Sequence, residues 1–286
     1  MYQIIDGKLV SQSVKDRIRV RASRYTSQGK EVTLAVIIVG DDPASRVYVN
    51  NKKKACEYVG FRSLEFALPK STTQEELIDL IHELNEREDV NGILCQLPVP
   101  KHIDDKAVIA AIDPKKDVDA FSEVNVGKIL IGKYDFLPCT PAGVMELLDY
   151  YDIDVEGKTC VVIGRSNIVG KPMAALLMHA NGTVTVTHKK TRHLRNVTSK
   201  ADILVSSVGR AHFVTADMVK EGAVVIDVGI NRDEHGKLCG DVIFDEVAPK
   251  CSYITPVPGG VGPMTIAMLM QNTLKAFEIQ HRKNDD

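Results

Sequence analysis

Apolar residues in this chain fall into short unbroken runs, and between the runs they recur at every third or fourth position. The runs read as strands covered on both faces, and the periodic stretches read as the helices that cover them. That alternation predicts parallel sheets with helices packed on their faces, an α/β fold. In the first half, strands are expected at 33–39, 62–67 and 92–96, with helices over 10–28, 43–59 and 73–87. Thr72 or Thr73 followed by Glu75 and Glu76 gives the third helix a capping signal. A second series begins after Pro138. There Thr140 and Pro141 read as the N-cap and first turn of a helix over 142–151, and a strand opens at Thr159. Further strands are expected at 183–187, 203–206, 223–228 and 253–255, and an apolar-rich helix at 264–280. The restart of the rhythm predicts a domain boundary near residue 139.

Composition narrows the class. With 286 residues there is enough chain for two domains, each with its own core, and 44% hydrophobic with 26% charged residues describes a globular protein. A formal net charge of -2 gives no general attraction to nucleic acid or to an anionic membrane, so any basic site must be local. The N-terminus lacks the order of a signal peptide, and the longest apolar run, 34–39, is too short to span a bilayer. A cytoplasmic protein is expected. The six cysteines contain no C-x-x-C pair, which indicates neither a zinc cage nor a disulfide framework, and no metal site is expected.

The segment 159–172, TCVVIGRSNIVGKP, joins a strand, a glycine turn and a helix start. Gly164 allows a sharp turn, Gly170 allows close helix packing, and free amides at a helix start face an anion. The pattern departs from G-x-G-x-x-G: Ser166 and Val169 stand where the second and third glycines belong, and Gly170 falls one residue late. The next strand ends in His188, Lys189, Lys190, Thr191 and Arg192, where an NAD-binding chain would carry an acid for the ribose hydroxyls. Bases there attract a 2′-phosphate, and Arg165 and Ser166 add donors, which favours NADP over NAD. An ordinary strand-to-helix turn followed by a solvated charge run is the alternative.

Four further groups can carry chemistry. Ser45, Tyr48 and Lys52 share one face of a helix, where a lysine beside a phenol can be a tuned base, although the same spacing occurs on solvated helices. Gln96 closes a buried strand before Pro98 and Pro100, at the end of the strand where open α/β sheets bind ligands, and could equally tie down loop backbone. Lys116-Asp117-Val118-Asp119 places two carboxylates on a loop, and a simple turn is the plain reading. Pro256, Pro258 and Pro263 with Gly259, Gly260 and Gly262 make a loop of fixed shape and open backbone, suited to form a ligand wall.

Together these residues resemble the bifunctional methylenetetrahydrofolate dehydrogenase/cyclohydrolases along essentially the whole chain. The resemblance is carried by YVNNKKK (48–54), QLP (96–98), KDVD (116–119), PCTPAG (138–143), GRSNIVGKP (164–172) and PVPGGVGPMT (256–265). It implies two α/β domains around a cleft: a folate-binding catalytic domain over 1–139, completed by a C-terminal helix over 266–286, and a Rossmann-type NADP-binding domain over 140–265. It also implies a homodimer formed through the nucleotide domain. The implied reactions are NADP-dependent oxidation of 5,10-methylene-tetrahydrofolate to 5,10-methenyl-tetrahydrofolate and hydrolysis to 10-formyl-tetrahydrofolate. By resemblance Lys52 is the key catalytic group, Gln96 orients it, Tyr48 stacks on or hydrogen-bonds near the reacting centre, and Asp119 anchors the pterin. Pro258, Gly259 and Gly260 line the substrate, and Gly164, Arg165, Ser166 and the Ile230 backbone take the cofactor, with Lys189 expected at the 2′-phosphate. Ala120 stands where the family usually has glycine. A two-domain NADP dehydrogenase of the shikimate type, or a non-catalytic NADP-sensing module, are the competing readings.

Overall fold

A computed structural model describes residues 1–282; of the expected C-terminal helix, residues 283–286 lie outside the described residues. In chain order the first elements are β1 (Gln3–Ile4), α1 (Gly7–Thr26), β2 (Thr33–Val39), α2 (Pro43–Val59), β3 (Arg62–Leu68), α3 (Gln74–Glu86) and β4 (Gly92–Cys95). Then come α4 (Asp105–Ala111), α5 (Glu123–Leu130), α6 (Cys139–Tyr150), β5 (Thr159–Ile163), α7 (Gly170–His179), β6 (Thr183–Thr187), α8 (Leu194–Thr198) and β7 (Ile203–Ser206). The last are β8 (Ala223–Asp227), β9 (Asn231–Arg232), β10 (Leu238–Cys239), α9 (Phe244–Val247), β11 (Cys251–Ile254) and α10 (Val261–Arg282).

The chain divides into two compact units, one of Ser13–Cys139 with Ile266 onward, the other of Met1–Gln12 with Thr140–Thr265. Residues 1–12, expected from the sequence in the N-terminal domain, group instead with the second unit. Strand β1 pairs in parallel with β11, Gln3 opposite Tyr253 and Ile4 opposite Ile254, and Ile5 N donates to Ile254 O at 2.9 Å. A strand of two residues is too short to leave a pattern in the sequence.

In the first unit the sheet order is β3-β2-β4, all parallel, and every residue of β2 is buried. The chain runs from β2 through α2 to β3 on one side, then through α3 to β4 on the other. That reversal opens a crevice at the carboxyl ends of β2 and β4. Ala35, Ile37 and Val39 pack with Leu77, Ile81 and Leu84 of α3 beneath it. Helix α2 starts on Asp42, whose Oδ1 accepts Ser45 N at 2.8 Å, and ends at Gly60 with φ 81°. Helix α3 opens on Thr73, not Thr72, with the reciprocal Thr73 and Glu76 bonds of a capping box.

The second unit carries a parallel sheet ordered β1-β11-β8-β7-β5-β6. Strand β5 lies between β6 and β7, so the chain turns to opposite sides after it, and the turn at Gly164 sits at this switch point. Val161, Ile163, Leu204 and Val225 fill the core with Val214, Met218 and Val247. Helix α6 begins at Cys139, so Thr140 is not its N-cap; its hydroxyl lies 3.0 Å from that of Thr265. Among the described residues no helix is long and apolar enough to cross a membrane.

Candidate active site

The face of α2 that carries Tyr48 and Lys52 meets the end of β4. Gln96 follows directly on β4, and its backbone N donates to Ile37 O of β2 at 2.8 Å, fixing it at the carboxyl end of both strands. Lys52 Nζ donates to Gln96 Oε1 at 2.9 Å, while Gln96 Nε2 donates to Leu97 O at 2.7 Å. The second bond decides the orientation. With the amide nitrogen held by backbone, only the carbonyl oxygen can face the lysine. Tyr48 lies four residues before Lys52 and is 39% exposed, its hydroxyl without a partner among the described residues.

The two loop carboxylates separate into different roles. Asp117 is buried, and it accepts Ser122 N at 2.8 Å, Asn125 Nδ2 at 3.0 Å and Phe121 N at 3.3 Å, so it holds the loop that enters α5. Asp119 is left for other work. It lines a narrow hollow with Cys95, Leu97, Val108, Ile112 and Phe121, and the Cys139 thiol lies 3.6 Å from its Oδ1. Asn272 of α10 ties down the same backbone, donating to Val118 O and Leu137 O at 2.8 Å each.

These groups perturb one another. Burial pushes the Lys52 ammonium below the ordinary lysine range, and the Asp119 charge opposes that shift without cancelling it. Burial likewise raises the Asp119 carboxyl, against the pull of Lys52. The Cys139 thiol is held well above its usual range by burial and by Asp119. It stays protonated and serves as a donor.

In the other unit, Gly164 N donates to Thr187 O at 3.0 Å, so the Gly164 turn and the basic run after β6 emerge side by side. Gly164 has φ 122°, and a Cβ there would lie 2.5 Å from Ser207 O; a Cβ on Gly170 would lie 2.4 Å from Gly164 O. Both positions require glycine. The expectation of wholly free amides at the helix start needs correcting. Ser166 Oγ accepts Val169 N and Gly170 N at 3.2 Å each, because a serine in that place caps its own helix. The backbone amides of residues 165–168 have no acceptor among the described residues. Arg165, Ser166, Lys189, Lys190 and Arg192 are exposed at this strand end.

The proline-glycine loop follows β11 in the same unit. Helix α1 begins against it, since a Cβ on Gly7 would lie 1.7 Å from Gly260 O. Gly259 has φ 109°, and a Cβ there would meet the Lys8 side chain at 3.3 Å. Ile230 is 49% exposed, and its Cδ1 would lie 3.8 Å from a Cβ on Gly262. Pro258, Gly259, Gly260 and Ile230 thus belong to one end of this sheet.

Two family models cover nearly the whole chain: tetrahydrofolate dehydrogenase/cyclohydrolase, catalytic domain, matches residues 5–119, and the NAD(P)-binding domain of the same family matches residues 138–281. The chain belongs to the tetrahydrofolate dehydrogenase/cyclohydrolase family. A family member from Lachnoclostridium phytofermentans, bifunctional protein FolD, is 61% identical over 98% of this chain and 100% of its own length. The solved structure of the bifunctional enzyme FolD, methylenetetrahydrofolate dehydrogenase/cyclohydrolase, from Campylobacter jejuni superposes with a TM-score of 0.96 at 51% identity, covering 98% of this chain and 99% of that one. The Trypanosoma brucei N5,N10-methylenetetrahydrofolate dehydrogenase-cyclohydrolase, solved with NADP and an inhibitor, gives 0.94 at 39% identity with coverage of 98% and 99%.

Sequence reasoning passed over several residues of this family member that the structure brings to the sites. Cys139 carries no sequence signal beyond the absence of a C-x-x-C pair, yet its thiol touches Asp119. Asp227 and Asp241 were not singled out, although each is an acid set within an apolar run, and both are buried. An acid in such a run is a visible signal, because a buried carboxylate needs donors to hold it.

Proposed function

We propose that this chain is a bifunctional one-carbon folate enzyme. It oxidises 5,10-methylene-tetrahydrofolate to 5,10-methenyl-tetrahydrofolate with NADP, and it hydrolyses the methenyl cation to 10-formyl-tetrahydrofolate. The observation that carries this reading is the desolvated Lys52 held by the carbonyl of Gln96, with the Asp119 carboxylate as the charge that most opposes its shift. Residues 13–139 with 266 onward supply the folate-binding catalytic part, and residues 140–265 the nucleotide-binding part.

Loss of hydride from the methylene carbon is driven by the adjacent nitrogen lone pair. That step calls for alignment more than for a base. NADP, when bound, accepts the hydride. The turn at Gly164 suits its phosphates, because the amides of residues 165–168 are open and a side chain at Gly164 or Gly170 would close the cradle. Arg165 and Ser166 would hold the phosphate end, Lys189 the 2′-phosphate, and the Ile230 backbone the nicotinamide end, beside the wall formed by Pro258, Gly259 and Gly260.

Hydrolysis requires proton transfer. Water adds to the methenyl carbon, its proton must leave, and the C–N5 bond breaks as N5 takes a proton, which leaves the formyl group on N10. Lys52 is suited to move that proton. Burial lowers its affinity for the proton, and a cationic substrate nearby lowers it further. The Gln96 carbonyl fixes one N–H and leaves the amine lone pair free to face the water. Asp119 accepts hydrogen bonds from the amino-pyrimidinone edge of the pterin, and Tyr48 packs near the reacting centre.

The chain forms a homodimer through the nucleotide-binding unit. Supporting this is β6, an outer strand of its sheet with an unpaired edge, flanked by the exposed side chains of Val186 and Met178. The test of the functional reading is a spectroscopic assay of the purified chain with both folate substrates and both cofactors. Reduction of NADP much faster than NAD, together with hydrolysis of the methenyl cation, is expected. Turnover of neither folate would reject the reading.

A further inference from the structure

Beneath the ligand end of the nucleotide-binding sheet lies a pair of buried carboxylates, neither in an ion pair among the described residues. Asp241 is fully buried, and its oxygens accept five hydrogen bonds. Oδ2 takes Val208 N at 2.7 Å, Ser206 Oγ at 2.9 Å and Gly209 N at 3.3 Å, and Oδ1 takes Arg210 N at 2.9 Å and Asn231 Nδ2 at 3.0 Å. Asp227 extends the chain of bonds. Its Oδ1 accepts Asp241 N at 3.0 Å and Gly229 N at 2.9 Å, its Oδ2 accepts Val242 N at 2.9 Å, and its own N donates to Thr255 Oγ1 at 2.7 Å. The backbone is shaped around these groups: a Cβ on Gly229 would lie 2.3 Å from Asp241 Oδ1, and one on Gly240 would lie 1.9 Å from Asp227 Oδ2.

The three segments joined in this way are residues 206–210 after β7, 229–231 after β8, and Thr255, which opens the proline-glycine loop. All three leave the sheet at its ligand end. We infer that Asp241 is a positioning residue for the nucleotide: it pre-forms the wall on both sides of Ile230 by gathering donors from two loops onto one carboxylate. This rests on the reading of residues 140–265 as an NADP site. Both oxygens of Asp241 act only as acceptors, which a carboxylate satisfies and a carboxamide cannot, since one of its two positions would turn a donor toward other donors. Asp241→Asn therefore keeps the shape and removes the function.

Calorimetric titration with NADP, in the absence of folate, should show Asp241→Asn binding about tenfold or more weakly. Hydrogen exchange of the unliganded protein should show faster exchange at residues 208–210. The folate-only hydrolysis of the methenyl cation, which draws on Lys52, should change far less. Asn231→Ala, which removes a single link, should move NADP affinity in the same direction and serves if Asp241→Asn fails to fold. Lys250→Met is the comparison: it loses bonds to Ala216 O and Val219 O in the same unit, away from these loops, and should lower the melting temperature without weakening NADP. Unchanged NADP affinity in Asp241→Asn or Asn231→Ala, or an equal loss in Lys250→Met, overturns the inference. A wild-type chain that binds NADP but turns over no folate would reject the functional reading and leave this test intact.

Discussion

Replacing Lys52 by Met separates the chemistry of the site from its architecture. Met has nearly the same length but no proton to move, so general acid-base assistance disappears and hydrolysis of the methenyl cation should fall by about 10²–10⁴. The fold should barely notice. Holding the ammonium in this place is already unfavourable, as its lowered proton affinity shows, and an apolar side chain removes that cost. Against this stands one lost hydrogen bond to Gln96 Oε1, about 1 kcal/mol net, while the Gln96 amide stays held by Leu97 O. The two effects oppose each other, and a melting temperature within roughly 4 °C of the original is expected. The assay is decay of methenyl absorbance beside a thermal melt and an NADP titration. Lys52→Arg sharpens it: arginine keeps the charge and the donors but does not deprotonate, so it should be as inactive as Met. Hydrolysis surviving in either variant, or a loss that merely tracks unfolding, would refute the proton-transfer role.

Asp119→Asn removes the charge that raises the proton affinity of Lys52, so the rise of hydrolysis with pH should move to lower pH at saturating substrate; a move to higher pH contradicts the assignment. Lys189→Ala, an exposed change without effect on melting, should weaken NADP by about tenfold and leave NAD binding unaltered, as measured by titration with each. Burial raises the Asp227 carboxyl from 3.8 to about 6, so its protonated form is favoured in the folded state. Its contribution to stability is complete below the unfolded value and is lost as pH rises through about 6, a change of roughly 3 kcal/mol. Melts across that interval should show a steeper decline for the original chain than for Asp227→Asn.

What the sequence revealed of the fold follows from which forces act locally. Strand β2 and helix α2 coincide with the residues expected from pattern alone, because an unbroken apolar run and an Asp-Pro start with a terminal Gly are local signals. Strand β1 and the small helices α4, α5 and α8 left no comparable trace: two to eight residues span too few periods, and their form is set by what they pack against. The misplaced first residues have the same cause, since their unit is decided by a parallel pairing to β11, far along the chain. Thr140 was read as a cap from its identity, but the helix begins one residue earlier and its hydroxyl is used elsewhere.

The candidate site divides in the same way, and the division explains which side chains resemblance could name and which needed coordinates. Tyr48 and Lys52 share a helix face, so their spacing already implied a common direction; the partnership with Gln96 depends on parallel strands and was invisible to spacing. Asp117 and Asp119 are two residues apart and chemically identical, yet the structure gives one three donors and the other a lysine's field and a thiol. Spacing and residue type cannot rank such a pair, which only the resemblance had separated, because what distinguishes them is how many N–H groups the fold has already assigned to each. The same accounting separates Asp241 from an ordinary acid. A carboxylate saturated by donors from two loops acts on geometry, whereas one left short of donors is available to a ligand. Asp119 is the acid of the second kind, which supports the proposed pterin contact there and not at Asp117.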